Sequence, residues 1–266
     1  AANLTPLRGR TALSKAHSLT DTSTTKVKSE SSFGETVSVI IQALILALVL
    51  RTFLFQPFNI PSGSMKPTLL VGDYIFVSKY SYGFSKHSFP YSPPLFNGRI
   101  WEGIPERGDV IVFKLPNDIS KDYIKRLIGL PGDKVQLVDS VVHINGKPLK
   151  RIEKGSFTDG SGSLQRTFPE FQETTFNGIS YQTIDVRPGD LGDNTRVFEV
   201  PEGHYFFMGD NRDNSSDSRY DVGMVPAELL VGKAQVIFLS MGNDAAAWQL
   251  WRWPTDMRWN RLFTGL

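Results

Sequence analysis

Two serines are the residues of this chain best suited to covalent chemistry. Ser62 and Ser64 lie in a turn-like Pro-Ser-Gly-Ser sequence, a few residues after a long apolar run. A serine hydroxyl becomes an effective nucleophile when a base accepts its proton. The chain has no cysteine, and its four histidines are scattered without a metal-ligand spacing. The composition therefore excludes a thiol nucleophile and disfavours a zinc enzyme or a histidine-dependent hydrolase.

A lysine kept neutral is the alternative base that this composition offers. Lys125 lies in an apolar, strand-like stretch at residues 122–129. With the two-residue period of a strand, Tyr123, Lys125 and Leu127 share one face. An ammonium group between a ring and a leucine is poorly hydrated, which lowers the pKa of the lysine. The alternative is an edge-strand lysine that extends its amine into water, and the spacing alone favours this alternative.

The apolar run at residues 37–55 is long enough to cross a membrane. As a helix it would span roughly 30 Å, which is about the thickness of the hydrocarbon core. Apolar residues lie on all of its faces, which favours lipid over a buried globular helix. A cleaved signal peptide is disfavoured because no small-residue cleavage site follows. Basic residues precede the run, so we predict that the N-terminus is cytoplasmic and the rest of the chain extracytoplasmic.

The chain after the apolar run has the pattern of β-structure. Short β-branched and aromatic segments, such as residues 109–113 and 134–138, follow Gly-Asp or Pro-Gly-Asp turns. The formal net charge is +2 without a long basic stripe. An electrostatic nucleic-acid-binding surface is therefore not expected.

These features divide the chain into several parts. In order, we predict a disordered cytoplasmic tail at 1–33, a transmembrane helix at 34–56, a catalytic β core at 57–133 and 201–244, a smaller β-rich lobe inserted at 134–200, and a Trp/Arg-rich segment at 245–266. The last segment contains four of the five tryptophans. Its composition suits either a membrane headgroup region or a segment docked on the body of the protein.

Four short segments after the apolar run are similar to the conserved boxes of one enzyme family. They are PSGSMKPTL at 61–69, GDVIVF at 108–113, YIKRLIGLPGD at 123–133 and GDNRDNSSDSR at 209–219. Together they resemble bacterial type I signal peptidases, also called leader peptidases, which use a serine–lysine dyad. The resemblance covers about residues 51–238, weakly through the middle lobe, and the boxes occur in the family's order.

The resemblance implies a role for each matching residue. Ser64 corresponds to the nucleophile and Lys125 to the general base. Ser62 corresponds to the hydroxyl that forms an oxyanion hole with the Ser64 backbone N–H, and Ser215 to the hydroxyl that orients the lysine amine. The structural residues near the site would be Asp210, Asn211, Arg212, Asp217 and Arg219, the last two as an ion pair. The substrate pockets would be lined by Phe58, Ile60, Pro61, Met65, Leu69, Tyr123 and Ile124.

The fold and function follow from the same resemblance. We expect a mainly β protein, with a catalytic core of coiled antiparallel sheets, an inserted smaller lobe and one transmembrane helix. The implied activity is removal of signal peptides from secreted preproteins after small residues at positions −1 and −3, through an acyl-enzyme, with no metal and no cofactor. The implied partners are preprotein signal peptides and the lipid bilayer, with no nucleic acid. A monomer in the bacterial inner membrane, near the secretion translocon and with its catalytic domain extracytoplasmic, is expected.

Three alternatives deserve comparison. Asp213, Ser215 and Asp217 have the spacing of the first ligands of an EF-hand, but Ser218 and Met224 replace the required glycine and glutamate. Such a calcium loop is therefore not expected. A serine–lysine peptidase of the self-cleaving repressor type would carry a DNA-binding head instead of a lipid-length helix. A membrane-anchored β-rich binding module without activity also stays open, and a serine-directed acylating probe would separate it from an enzyme.

Overall fold

An apolar helix begins the described part of the chain. In the computed structural model, helix α1 is Phe33–Phe53. The structure describes residues 33–89, 92–94, 98–160, 165–187, 189–242 and 245–266. The tail predicted at residues 1–33 therefore lies outside the described residues, except for its last residue.

Helix α1 has the length and composition of a membrane span. Its mean hydropathy reaches 2.2, and among its residues Thr52 alone is buried. Among the described residues, α1 is the single helix that is long and apolar enough to cross a membrane. This is consistent with the predicted membrane anchor, because lipid can cover apolar side chains that no protein covers. The part of α1 up to Gln42 belongs to an N-terminal unit, and the remainder belongs to the unit that carries the β-sheets.

The rest of the described chain is mainly β-structure. The strands are β1 Phe55–Asn59, β2 Asp73–Ser78, β3 Phe84–Ser85, β4 Arg99–Ile100, β5 Val110–Leu115, β6 Asp118–Gly129, β7 Lys134–Val138, β8 Val141–Ile144, β9 Lys147–Pro148, β10 Lys150–Asp159, β11 Arg166–Thr174, β12 Ser180–Ile184, β13 Phe198–Glu199, β14 His204–Met208, β15 Val225–Pro226, β16 Leu230–Ser240 and β17 Thr264–Gly265. A short helix, α2, is Trp253–Asp256. Single 3₁₀ turns lie at Tyr80–Tyr82, Lys86–Ser88, Ala227–Leu229, Leu250–Arg252 and Trp259–Arg261.

One large antiparallel sheet forms the centre of the fold. Its strands follow the order β1-β2-β16-β5-β6-β14-β15, and β17 pairs with β16. Register shifts in β16 and between β5, β6 and β14 mark bulges, which increase the local twist of a sheet. Bulky apolar side chains from β5, β6 and β14 fill the core, where the rings of Phe113 and Phe207 stack at 4.6 Å. The predicted mainly β fold with antiparallel sheets is confirmed.

The residues predicted to form an inserted lobe make two smaller sheets. The strand orders are β10-β11-β12 and β13-β7-β8-β9. The second sheet shares a hydrophobic cluster with the central sheet, because Val135 and Leu137 pack with Ile128, Phe206 and Met208. The lobe is therefore joined to the central sheet by a common core, rather than by a polar linker. After β14 the chain enters a loop at residues 209–219, here called the Asp/Asn-rich loop.

The Trp/Arg-rich segment packs on the end of the central sheet. Met257 is buried with Leu239 and Met241, and the partly buried ring of Trp253 packs on this cluster. Arg261 pairs with the buried Asp73 at 2.6 Å. The other three tryptophans of the segment are 58 to 69% exposed. The segment is thus docked on the protein while most of its indole rings face outward.

Candidate active site

Ser64 lies in the loop between β1 and β2, and the ends of this loop are tied together. The backbone N–H of Ile60 donates to Asp73 O at 2.8 Å, and that of Gly72 donates to Ile60 O at 3.0 Å. Residues 60–72 therefore form a loop that is closed at the base of the β1–β2 hairpin. We call it the nucleophile loop, after the role predicted for Ser64. A loop fixed at both ends can hold a side chain in one position without a helix or strand.

Lys125 reaches the nucleophile loop from the middle of β6. Its Nζ atom donates a hydrogen bond to Ser64 Oγ at 2.6 Å. Both residues are buried, Ser64 at 8% and Lys125 at 4% exposure. Burial lowers the pKa of Lys125 to about 8, while the negative charges of Asp217 and Asp210 act in the opposite direction. The Tyr123 ring lies 5.4 Å from the amine, as expected for side chains on one face of a strand.

Ser62 lies beside Ser64 at the exposed side of the loop. Its Oγ atom is 3.5 Å from Ser64 Oγ. A hydroxyl at this distance is close enough to turn toward a charge that forms next to Ser64. The role of Ser62 in an oxyanion hole stays a prediction.

The Asp/Asn-rich loop contacts the backbone at Ser64. The Asn211 backbone N–H donates to Ser64 O at 3.1 Å, and its side-chain amide donates to Gly63 O at 3.1 Å. Gly209 packs so closely that a Cβ atom there would overlap both Ser215 and the Ser64 carbonyl oxygen. The backbone position of Ser64 is therefore set by direct contact with this loop.

Ser215 is buried in the same loop. Within the described residues its Oγ atom has no hydrogen-bond partner, and no bond to Lys125 is present. A buried hydroxyl without a partner is uncommon in folded proteins. That Ser215 orients the lysine amine stays a prediction.

A buried ion pair joins the lysine strand to the Asp/Asn-rich loop. Arg126, next to Lys125 but on the opposite face of β6, forms two hydrogen bonds of 2.7 and 2.6 Å to Asp210. Thr68 of the nucleophile loop donates to the same carboxylate at 2.6 Å. The three segments that carry the predicted site residues therefore meet at Asp210.

Further ion pairs fix the rest of the Asp/Asn-rich loop. Asp217 pairs with Arg219 at 3.0 Å and accepts the Gly209 N–H at 3.0 Å. Arg212 forms two hydrogen bonds of 2.5 and 2.6 Å to Glu173 of β11. All of the residues predicted to be structural near the site thus lie in one buried polar network with Arg126 and Glu173.

A cleft of about 420 Å³ opens above Ser64 and Lys125. Its lining is Phe58, Asn59, Ile60, Pro61, Ser62, Gly63, Ser64, Val112, Asp122, Tyr123, Ile124, Lys125, Asn214 and Ser216. β1 and β6 form its two sides, although three strands separate them in the sheet order. The central sheet must therefore coil to bring these strands to one cleft.

The family model and the sequence relatives agree on one family. The family model described as signal peptidase, peptidase S26, matches residues 33–239. This chain belongs to that signal peptidase family. It is 46% identical over 238 residues to Signal peptidase I of Rickettsia canadensis (strain McKiel), with 83% of this chain and 89% of that protein covered. It is equally identical to Signal peptidase I of Rickettsia conorii, with 83% and 88% covered. A solved signal peptidase I from Enterococcus faecalis V583 is 28% identical and covers 49% of this chain and 96% of that chain, with a TM-score of 0.30.

The signal peptidase cleft contains five of the seven predicted pocket residues. These are Phe58, Ile60, Pro61, Tyr123 and Ile124. Met65 and Leu69 are fully buried in the hydrophobic cluster around Ile75 and Val77 and are absent from the lining. They anchor the nucleophile loop to the core. The sequence does not distinguish these two positions from pocket residues, because an apolar side chain in this loop can point either into a pocket or into the interior.

Sequence reasoning missed several residues of this signal peptidase site. Arg126 and Glu173 complete the buried ion pairs, and Asn214 and Ser216 line the cleft. Arg126 follows Lys125 directly in an apolar strand, so the two side chains point to opposite faces. This was a usable signal, because a charge that is buried on the other face of the strand requires a partner. No local pattern indicated Glu173, which lies far from Arg212 in the sequence.

Proposed function

We propose that this chain is a membrane-anchored serine endopeptidase that removes signal peptides from secreted preproteins, with Ser64 as nucleophile and Lys125 as general base. The observation that carries the proposal is the 2.6 Å contact between Lys125 Nζ and Ser64 Oγ in a buried site. With a pKa of about 8 caused by burial, the lysine is partly neutral at mildly alkaline pH. A neutral amine at this distance can accept the hydroxyl proton.

The reaction proceeds in two halves. As Lys125 accepts the Ser64 proton, Ser64 Oγ attacks the scissile carbonyl carbon. The resulting ammonium gives its proton to the leaving nitrogen, the C–N bond breaks, and the signal peptide remains as an ester on Ser64. Lys125 then accepts a proton from water, the hydroxide attacks the ester carbonyl, and Ser64 recovers its proton as the signal peptide leaves.

The charge on the carbonyl oxygen requires donors on the cleft side of Ser64. The Ser62 hydroxyl, 3.5 Å from Ser64 Oγ, and the Ser64 backbone N–H are the proposed pair. The unpartnered Ser215 hydroxyl is the proposed group that keeps the lysine amine in line. Both assignments rest on position and on the family pattern.

The cleft suits an extended peptide. β1 lies at the end of the strand order, so among the described strands it has an unpaired edge that faces the cleft. A substrate can add to such an edge by backbone hydrogen bonds. Apolar rings and branched side chains around Ser64 leave room for small residues at positions −1 and −3, which is the proposed specificity.

The apolar helix α1 would hold the enzyme at the membrane in which the signal peptide lies. The proposed location is the bacterial inner membrane, with a cytoplasmic N-terminus and the β-sheets on the extracytoplasmic face. Basic residues before α1 support this orientation. The proposed acting unit is a monomer near the secretion translocon.

Cleavage of a purified preprotein in detergent tests the proposal. Ser64→Ala and Lys125→Ala should abolish cleavage, whereas Lys121→Ala should retain it. Lys121 is a matched control because it lies on the same strand with a 63% exposed side chain. The N-terminal sequence of the product should place the cut after a small residue. Cleavage at the wild-type rate by either the Ser64 or the Lys125 variant would overturn the assignment.

A further inference from the structure

Three carboxylates meet beside the Asp/Asn-rich loop. Asp185 follows β12, Asp193 lies in the connection to β13, and Asp213 belongs to the Asp/Asn-rich loop. One carboxylate oxygen from each lies within 4.8 Å of the others. Asp185 and Asp193 are 3% exposed, and Asp213 is half-buried.

Two oxygens of this cluster have no donor. The Oδ1 atoms of Asp185 and Asp213 are buried and have no hydrogen-bond partner in the described part of the chain. Their other oxygens are engaged: Asp185 Oδ2 pairs with Arg151 at 3.2 Å, and Asp213 Oδ2 accepts the backbone N–H groups of Val186 and Arg187. A buried carboxylate oxygen without a donor is costly, and here it faces further carboxylates.

The nearby positive groups do not fill the centre of the cluster. Arg151 approaches Asp185 from one side and also lies 3.9 Å from Glu173. The Arg187 guanidinium turns outward to Asp190 and to the Asp213 carbonyl oxygen. Asp193 accepts a backbone N–H from Gly189 rather than a side-chain cation. Among the described residues, one guanidinium, that of Arg151, pairs with a carboxylate of the cluster.

We propose that Asp185, Asp193 and Asp213 bind a hard divalent cation, Ca²⁺ or Mg²⁺. Carboxylate oxygens are the ligands that both ions prefer, and oxygens around one Ca²⁺ lie at 2.3 to 2.6 Å from it, so an edge of up to ~5 Å between them fits. The cation would join the inserted lobe to the Asp/Asn-rich loop. That loop carries the Asn211 N–H that binds Ser64 O, so the cation would stiffen the support of the nucleophile.

This site differs from the EF-hand spacing seen in the sequence. Of the three residues with that spacing, Asp217 pairs with Arg219 and Ser215 contacts Gly209. Only Asp213 lies close to Asp185 and Asp193. The ligands come from distant parts of the chain, which is why no local motif indicates them.

Thermal unfolding of the full chain in detergent tests the proposal. The protein is stripped with EDTA and studied at about pH 8, where carboxylates are ordinarily ionised. Addition of about 10 mM CaCl₂ or MgCl₂ should raise Tm by about 5 °C, given dissociation constants of ~10⁻⁴ to 10⁻³ M for extracellular sites. Whichever ion gives the larger shift identifies the preferred cation.

Variants separate a bound ion from a general salt effect. Asp193→Asn and Asp213→Asn should lose the metal-dependent shift, while Asp190→Asn should keep it. Asp190 is a matched control because it lies in the same connection but pairs with Arg187. Should an Asn variant fail to fold, calorimetric titration of the wild type and the Asp190 variant with CaCl₂ decides the matter. Absence of binding and of any Tm shift for both ions, or an equal shift in the Asp193 and Asp190 variants, would overturn the proposal. The Ser64→Ala enzyme should bind the cation normally, so failure here is independent of the peptidase assignment.

Discussion

Lys125 Nζ lies 2.6 Å from Ser64 Oγ, although the strands that lead to the two residues are separated by three others in the sheet order. The contact exists because the sheet coils and because the Asp/Asn-rich loop holds the Ser64 carbonyl from the opposite side. The pair is thus a product of long-range pairing, and its chemistry is sensitive to changes far from either residue.

The pH dependence of cleavage should reflect the pKa of Lys125. Burial lowers the pKa of Lys125 from 10.5 to about 8, and as the proposed base the amine acts only when it is neutral. We therefore expect kcat/KM to rise with pH along an acid limb with its midpoint near 8, and to fall about tenfold for each unit below it. Steady-state rates with a preprotein or peptide substrate measure this profile. A midpoint near 4 would indicate a carboxylate base instead.

Replacing the lysine should raise stability while it removes activity. Because the folded-state pKa is about 8 and the ordinary value is 10.5, the unfolded chain binds more protons between these values. The cost of burying the ammonium is therefore complete below about pH 8 and disappears as the pH rises through 10.5. Lys125→Met should increase the free energy of unfolding near pH 7 by about 3 kcal/mol.

Denaturant unfolding near pH 7 and near pH 10 checks this expectation. The gain should shrink at the higher pH, where the lysine is neutral in the folded state and only partly protonated in the unfolded state. Lys121→Met, on the exposed part of the same strand, should show no such dependence. A gain that is equal at both pH values would mean that packing, and not the charge, is responsible.

Much of the site could be predicted because its signals are local. The apolar alternation around Lys125 places Tyr123 and the amine together, and the structure has the ring 5.4 Å from Nζ. The similarity to the family's conserved segments identifies Ser64 as the second candidate residue. The residues next to it in the sequence form one closed loop. The antiparallel β fold follows from short strands and glycine turns in the same way.

The remaining features depend on contacts between distant segments. Met65 and Leu69 have the composition of pocket residues but are buried as anchors of the nucleophile loop. Arg126 pairs with Asp210, and Arg212 pairs with Glu173, although the partners are far apart in the sequence. The residue type indicates whether a side chain is to be buried or paired with a charge. Which residue it contacts depends on the topology of the fold.

Gly209 should be intolerant of any side chain. A Cβ atom at this position would overlap the Ser215 side chain and the backbone carbonyl oxygen of Ser64. Gly209→Ala should therefore shift Ser64 and lower kcat by about 10²-fold, the cost of a displacement of roughly 1 Å in a catalytic group. Gly265→Ala is the control, because a Cβ atom there meets nothing within 4 Å. Equal activity of the two variants would show that the loop can yield without loss of geometry.

The buried pair of Arg126 and Asp210 should contribute to stability through the cost of breaking it. Both side chains are at most 5% exposed, and Thr68 donates to the same carboxylate. Asp210→Asn would leave the guanidinium buried without a counter-charge, so we expect a loss of about 3–5 kcal/mol in the free energy of unfolding. Asp118→Asn removes the partner of the exposed Lys121 and should leave the free energy of unfolding unchanged, since surface pairs contribute little.

Because Asp210 also holds the nucleophile loop through Thr68, the Asp210 variant should lose peptide cleavage even under conditions in which it remains folded. Full activity of a folded Asp210→Asn enzyme would restrict this ion pair to a purely structural role.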